Sequence, residues 1–177
     1  MLKGYSVRKA EQGDVAAIMQ VERQSFEAAI VEDERVFAER IAFALDCNYV
    51  LVKTDTQSVC GYFTAELWDS GAMGADAFAL GHSVRGRHLP AGTALYISSF
   101  ALLPAVRGQG MAETFFATAL ERIRAAFPQL ERIILLVHED WRKAITIYEN
   151  QGFMRTQVLE RFAGFGDKRA FIYEKTV

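Results

Sequence analysis

The stretch ALYISSFALLPAVRGQGMA, from Ala94 to Ala112, decides the fold. Ala94 to Leu103 is almost wholly apolar apart from Ser98 and Ser99, the pattern of a central strand buried on both faces. Pro104 ends it. Arg107-Gly108-Gln109-Gly110-Met111-Ala112 then turns into a helix whose buried stripe reads Ala112, Phe115, Phe116, Ala119, Leu120, Ile123 and Phe127, and Pro128 stops that helix. The first backbone N–H groups of a helix lack partners and carry partial positive charge, so a strand–glycine turn–helix junction is a natural seat for phosphate or pyrophosphate. Gly108 and Gly110 let the backbone approach an anion, Ala112 is the next-smallest choice, and Arg107 adds a forked cationic donor. A Rossmann fingerprint would need a small residue where Glu113 stands, and the Gly-Lys-Ser/Thr of a P-loop is absent. The plainer alternative is an ordinary strand–helix turn with two glycines.

Beyond this helix, Ile133–Val137 reads as another buried strand. Asp140 is placed to cap a helix running to about Asn150, with Gly152 as its left-handed C-terminal residue. Phe153–Phe162 and Lys168–Thr176 read as a closing hairpin across Ala163–Asp167. Toward the N-terminus, Tyr5–Lys9 is a strand. Asp14 starts a helix carrying Val15, Ile18, Met19 and Glu22 at helical spacing. Asp33 opens a second helix with Val36, Phe37, Ile41, Ala44 and Leu45 on one face. Tyr49–Thr54 and Ser58–Leu67 are strands around a polar turn. Trp68–Gly92, with five glycines, exceeds the usual length of a structureless loop and suggests a functional lid, an interface or a short hidden helix. The order is β-α-α-β-β-β-α-β-α-β-β, and one mixed α/β domain over residues 1–177 is the economical reading.

The chain has 177 residues, about half of them hydrophobic, with 20 basic and 22 acidic residues. This suits a sizeable core, and the net charge of −2 gives no general attraction to nucleic acid or an anionic membrane. No apolar run approaches a bilayer span, and Met1–Ala10 contains no signal-peptide core, so the expected compartment is cytoplasmic. Cys47 and Cys60 match no zinc or redox spacing and read as buried reduced thiols.

Two motifs carry a resemblance. Arg107-x-x-Gly110-x-Ala112 after a strand resembles the acetyl-coenzyme A signature of the GNAT N-acetyltransferase superfamily. Ala144-Ile145-Thr146-Ile147-Tyr148-Glu149-Asn150-Gln151-Gly152-Phe153 resembles the family's second motif, Ala-x-x-x-Tyr-Glu-x-x-Gly-Phe. The likeness is firm from Ala94 to Phe153 and extends plausibly over the whole chain, because the element order is that of the superfamily. One departure is Trp141, which stands where the family often has Asn; an indole there could pack against pantetheine.

The resemblance implies a GNAT-like acyl-CoA N-acyltransferase fold with a mixed sheet, and acetyl-CoA as cosubstrate. The backbone of Phe100, Ala101 and Leu102 would pair with the pantetheine arm, the loop Arg107–Ala112, including Gln109 and Met111, would hold the pyrophosphate, and Tyr148 would protonate the leaving sulfur. Aminolysis of a thioester also needs a base for the amine and donors for the developing oxyanion. Candidates for the base are Glu66, His138 and Glu27, directly or through a relay using Ser98 and Ser99, which a strand bulge would explain equally well. His82 and His88 lack the company expected of a metal site, and no metal is expected. The acceptor reads as a small-molecule amine, or else a peptide or protein N-terminus or lysine. A non-catalytic acyl-CoA-binding sensor is a further alternative, and a homodimer is a possible assembly.

Overall fold

The computed structural model describes residues 2–69, 71 and 74–177, so Met1 and positions 70, 72 and 73 of the long segment lie outside the described residues. The strands are β1 (Tyr5–Lys9), β2 (Tyr49–Lys53), β3 (Val59–Trp68), β4 (Ala94–Leu102), β5 (Arg132–His138), β6 (Met154–Phe162) and β7 (Lys168–Thr176). The helices are α1 (Val15–Ser25), α2 (Glu34–Phe43), α3 (Met111–Ala126) and α4 (Arg142–Asn150). The predicted order of strands and α-helices is the observed one. The seven strands form one mixed sheet in the order β1-β2-β3-β4-β5-β7-β6. β4 and β5 run parallel, and the other adjacent pairs are antiparallel.

Alternation sends neighbouring residues of each strand to opposite faces. Phe63, Leu95, Ile97 and Leu135 pack with Phe115 and Phe116 of α3 and Tyr148 of α4. On the other face Val50, Val52, Tyr62 and Ala101 pack with Ile18 and Val21 of α1 and Phe37 and Ile41 of α2. A third cluster around Trp68, Phe78, Tyr96, Phe162 and Phe165 brings Ala77, Phe78 and Leu80 over the sheet.

The parallel pairing of β4 with β5 is short. It runs from Ala94 opposite Arg132 to Ile97 opposite Leu135 and then stops. Leu136, Val137 and His138 continue with β7, while Ser99 to Leu102 continue with β3. Opposite Thr64 and Ala65 the β3–β4 register slips, leaving Ser98 as an extra residue. Such a bulge bends and twists its strand, and here the two central strands separate just beyond it. The predicted burial of β4 on both faces is therefore interrupted at Ser98, Ser99 and Phe100, which are half-buried, while Ala94–Ile97, Ala101 and Leu102 are buried.

Several local expectations need correction. Asp14 stands at the start of α1 as expected, in its N-cap position, but its carboxylate is turned to other partners: Arg8 chelates it at 2.7 Å from each guanidinium nitrogen, and it accepts from Glu11 N–H at 2.8 Å. Asp140 does not cap α4, whose N-cap is Trp141 without a side-chain bond; the Asp140 carboxylate lies 3.6 Å from Lys168 Nζ. Asp33 does cap α2, accepting from Arg35 N–H at 2.8 Å. Leu45 leaves the apolar face because α2 ends at Phe43, and it is 55% exposed. Phe153 lies just before β6.

Residues 68–92 contain the hidden short helix, a 3-10 turn at Ala75–Phe78. The segment is anchored at its ends and middle: Leu89 N–H donates to Leu67 O at 2.8 Å, Phe78 and Val84 are buried, and Gly81 N–H donates to Glu32 at 2.7 Å. Its last residue, Gly92, is close enough to Trp68 that an added Cβ would lie 2.5 Å from the Trp68 carbonyl oxygen, so no larger residue fits.

Candidate functional site

The junction that follows β4 has the backbone an anion site needs. Gly108, Gln109 and Gly110 all have positive φ, at 99°, 51° and 71°. Three successive left-handed residues reverse the chain into α3, whose N-cap Gly110 offers no side chain to the first-turn N–H groups. A Cβ on Gly108 or Gly110 would meet nothing within 4 Å. Positive φ is therefore what selects glycine, and the space above the loop is open. Met111 N–H donates back to Gly108 O at 3.0 Å, and Met111 and Ala112 are half-buried at the start of α3. Arg107 differs from the expectation. Its Nε donates to Leu102 O and its Nη2 to Ser25 Oγ, both at 2.9 Å, so part of its fork ties the end of β4 to α1.

This loop adjoins the open edge of β4. Phe100, Ala101 and Leu102 have β3 on one side and no strand on the other. The Phe100 ring turns toward α3, with centroids 5.3 Å from Phe116 and 5.7 Å from Phe115. Tyr148 packs in the same aromatic core, 5.4 Å from Phe116. It is 8% exposed, and its hydroxyl makes no hydrogen bond to any described residue. Burial alone pushes the phenol pKa upward, keeping it an O–H donor. Tyr148 thus has a core ring and an unused hydroxyl at once.

The three sequence candidates for a base fare differently. Glu27 is exposed beyond the end of α1, and its side chain is bonded to no described residue. His138 is buried at the end of β5, and its Nδ1 accepts from Asp140 N–H at 3.0 Å. That bond puts the proton of a neutral ring on Nε2, which makes that nitrogen a donor. Trp141 stacks on His138 at 5.6 Å and meets Phe26 at 5.1 Å and Phe165 at 5.3 Å. Glu66 is fully buried, and Oε1 contacts His82 Nε2. His82 Nδ1 in turn lies 2.9 Å from Ala79 O. Glu66 and His82 therefore tie residues 68–92 to β3. His88 Nδ1 accepts from Leu67 N–H at 3.2 Å.

The carboxylate best placed beside the bulge is Glu22 on α1. It is 1% exposed, it accepts from the Tyr62 hydroxyl, and it accepts from Glu32 N–H at 3.2 Å. The Tyr62 hydroxyl is also 2.8 Å from Ser99 Oγ on the open half of β4. Ser98 Oγ lies 3.0 Å from Thr64 Oγ1. Burial pushes the Glu22 pKa up to about 7, although the bonds from Tyr62 and Glu32 N–H oppose it. The sequence held a signal for this residue: a carboxylate on the same helical stripe as Ile18 and Met19 must be buried with them. Nearby Glu32 is buried too, but Arg40 holds it at 2.6 and 2.8 Å. That guanidinium outweighs the upward pull of burial and lowers the Glu32 pKa.

Cys47 and Cys60 are free and buried, with burial pushing the Cys47 pKa up to about 12. Among the described residues, no three His, Cys, Asp or Glu side chains gather as a metal cluster.

The profile described as the Acetyltransferase (GNAT) family matches residues 15–153. No curated protein matches the sequence. Similar solved structures include the GphF GNAT-like decarboxylase in complex with isobutyryl-CoA, 16% identical, TM-score 0.79, covering 97% of this chain and 98% of that one. The loading GNATL domain of CurA from Lyngbya majuscula is 12% identical, with TM-score 0.80 and 97% of both chains covered. The ribosomal-protein-S18-alanine N-acetyltransferase from Escherichia coli is 15% identical, with TM-score 0.69, covering 98% of this chain and 94% of that one.

Proposed function

The chain belongs to the acetyltransferase (GNAT) family, and from that premise we propose that it transfers the acetyl group of acetyl-CoA to a primary amine. The observation that carries this reading is the divergence of β4 from β5 immediately before the left-handed turn into α3. A ligand with an extended amide arm and a pyrophosphate fits that pair of features. The arm would bond the free edge of β4 at Phe100 to Leu102, and the pyrophosphate would face the α3 N-terminus from Gly108 to Ala112. The neighbouring fold that carries isobutyryl-CoA supports a coenzyme A thioester as the cosubstrate. When bound, the thioester supplies an activated acyl group and a thiolate leaving group.

The chain's own residues then manage two protons. The attacking amine must lose one. Ser99 takes it while passing its own proton to Tyr62, and Tyr62 passes one to Glu22. Glu22 ends as a neutral carboxylic acid, which its pKa of about 7 allows near neutral pH. The unbonded Tyr148 hydroxyl is the donor for the departing thiolate. Its own proton is then restored from solvent. Catalytic roles are thus assigned to Glu22 and Tyr148, with Glu66 as an anchor of residues 68–92.

A small-molecule amine is the favoured acceptor, and a peptide N-terminus is the second reading. The second is favoured by an open groove of about 540 Å³ between α2 and residues 80–83. The two reduced thiols suit a cytoplasmic protein. The test is release of free coenzyme A thiol from acetyl-CoA with a panel of amines and short peptides. Amine-dependent release supports the reading. Acetyl-CoA binding without transfer to any member would leave a sensor instead.

A further inference from the structure

Residues from four separate segments meet beside the open half of β4. Phe26 and Ile30 come from the connection after α1, Leu80 from residues 68–92, Trp141 from the β5–α4 turn and Phe165 from the β6–β7 turn. Ser25 Oγ lies 3.3 Å from Leu102 O at the end of β4, while Trp141 follows the end of β5. The Phe26–Trp141 contact at 5.1 Å therefore spans the gap between the diverging strands. Leu80 presses on the β6–β7 turn so closely that a Cβ on Gly164 would lie 2.9 Å from Leu80 Cγ. Ile30 and Leu80 also line the groove of about 540 Å³, which connects this apolar cluster to the surface.

The carboxylates that line the groove are each paired with an arginine. Glu32 holds Arg40 at 2.6 Å, Asp33 is 3.3 Å from Arg35 Nε, and Glu39 holds Arg85 at 2.8 Å. Neither Glu66 nor Glu22 lines the groove: Glu66 Oε1 contacts His82 while its Oε2 is bonded to no described residue, and Glu22 accepts from the Tyr62 hydroxyl. The apolar residues of the groove, Ile30, Val31, Val36 and Leu80, are thus interleaved with carboxylates that each already hold a guanidinium and do not draw a second positive charge.

Resting on the transferase reading above, we propose that the acceptor is a primary amine borne on an apolar or aromatic body, recognised by Ile30, Leu80 and Trp141. The body displaces water from these side chains, and the amine alone reaches the hydroxyls of β4. A polyamine would have to bring in a second ammonium where every lining carboxylate already holds a guanidinium. Two sources share this chemistry: a free arylalkyl amine, and a peptide whose N-terminal residue is apolar.

The experiment compares kcat/KM, by thiol release, for 2-phenylethylamine, isoamylamine, spermidine and peptides beginning with Phe, Leu, Asp or Lys. The apolar amines or apolar-ended peptides should exceed spermidine and the charged peptides by about tenfold or more, and whichever arm responds identifies the source. Leu80→Glu should lower the apolar acceptors about tenfold, raise spermidine, and leave acetyl-CoA affinity by calorimetry unchanged. Ile30→Glu, at a half-buried position, provides the same test should Leu80→Glu fold poorly. Equal or better turnover of spermidine, or an unchanged ratio in both variants, overturns the proposal. If nothing is acetylated although acetyl-CoA binds, the transferase reading has failed. Calorimetry of 2-phenylethylamine against the coenzyme A complex then decides the site separately: binding lost in Leu80→Glu supports it, and no binding at millimolar amine overturns it.

Discussion

The Tyr62 hydroxyl bonds Glu22 on α1 and lies 2.8 Å from Ser99 Oγ on β4. It links a carboxylate that solvent cannot reach to the half of β4 that has parted from β5. A buried acid so connected can take a proton without touching the group that releases it.

Glu22→Gln should therefore lower kcat about 10²- to 10³-fold while leaving acetyl-CoA affinity unchanged. Wild-type kcat at saturating acceptor should rise with pH through about 7, the Glu22 value, and the variant should lose that limb. An unaltered pH profile in a folded variant would remove Glu22 from the reaction.

The same residue makes stability depend on pH. Folded Glu22 keeps its proton up to about pH 7, whereas the unfolded chain releases it near the ordinary 4.5. Between those values the native state binds more protons. The contribution is fully present below the lower value and is lost as pH rises through the upper one, on the order of 3 kcal/mol in all. Glu22→Gln should consequently melt higher than wild type at pH 8 and close to it at pH 5, as read by thermal unfolding.

Tyr148→Phe keeps the ring against Phe116 and Phe153 and removes only the unbonded hydroxyl. The expected result is a kcat loss of roughly 10²-fold or more, with normal acetyl-CoA binding and an unchanged melting temperature. Wild-type kcat with chemistry rate-limiting would reduce Tyr148 to a packing residue.

Gly110→Trp should abolish acetyl-CoA binding by calorimetry, because the indole would fill the open space over the loop. A φ of 71° also strains any residue other than glycine, so a loss of about 1–2 kcal/mol should accompany it. Gly110→Ala separates the effects, since it carries the strain without the bulk. Unchanged affinity in a folded Gly110→Trp protein would put the cosubstrate elsewhere.

Arg40→Met should destabilise the protein by about 3–5 kcal/mol, because Glu32 is left buried and unpaired. The deficit should shrink at low pH, where Glu32 can be protonated, and Glu32→Gln combined with Arg40→Met should recover most of it. Equal melting temperatures for wild type and Arg40→Met would show that water reaches Glu32.

Sequence alone determined the element order and the loop from Arg107 to Ala112. Both depend on local physics: apolar periodicity, and glycines where φ must be positive, as at Gly108, Gly110 and Gly152. The second motif with Tyr148 was legible through its resemblance to the GNAT family, residue by residue along Ala144–Phe153. The sequence could not rank Glu66, His138 and Glu27 as bases, since each looks like a charge near a strand or helix end. Tertiary structure gave Glu66 to His82, turned His138 Nδ1 toward Asp140 and left Glu27 exposed. It also brought Glu22, 40 positions from Tyr62 in the chain, into contact with it. The Ser98 bulge, the parting of β4 from β5 and the meeting of Phe26 with Trp141 were likewise decided only in three dimensions. A pKa near 7 and an open strand edge depend on which distant segments exclude water or withhold a partner, and no local pattern of residues encodes that.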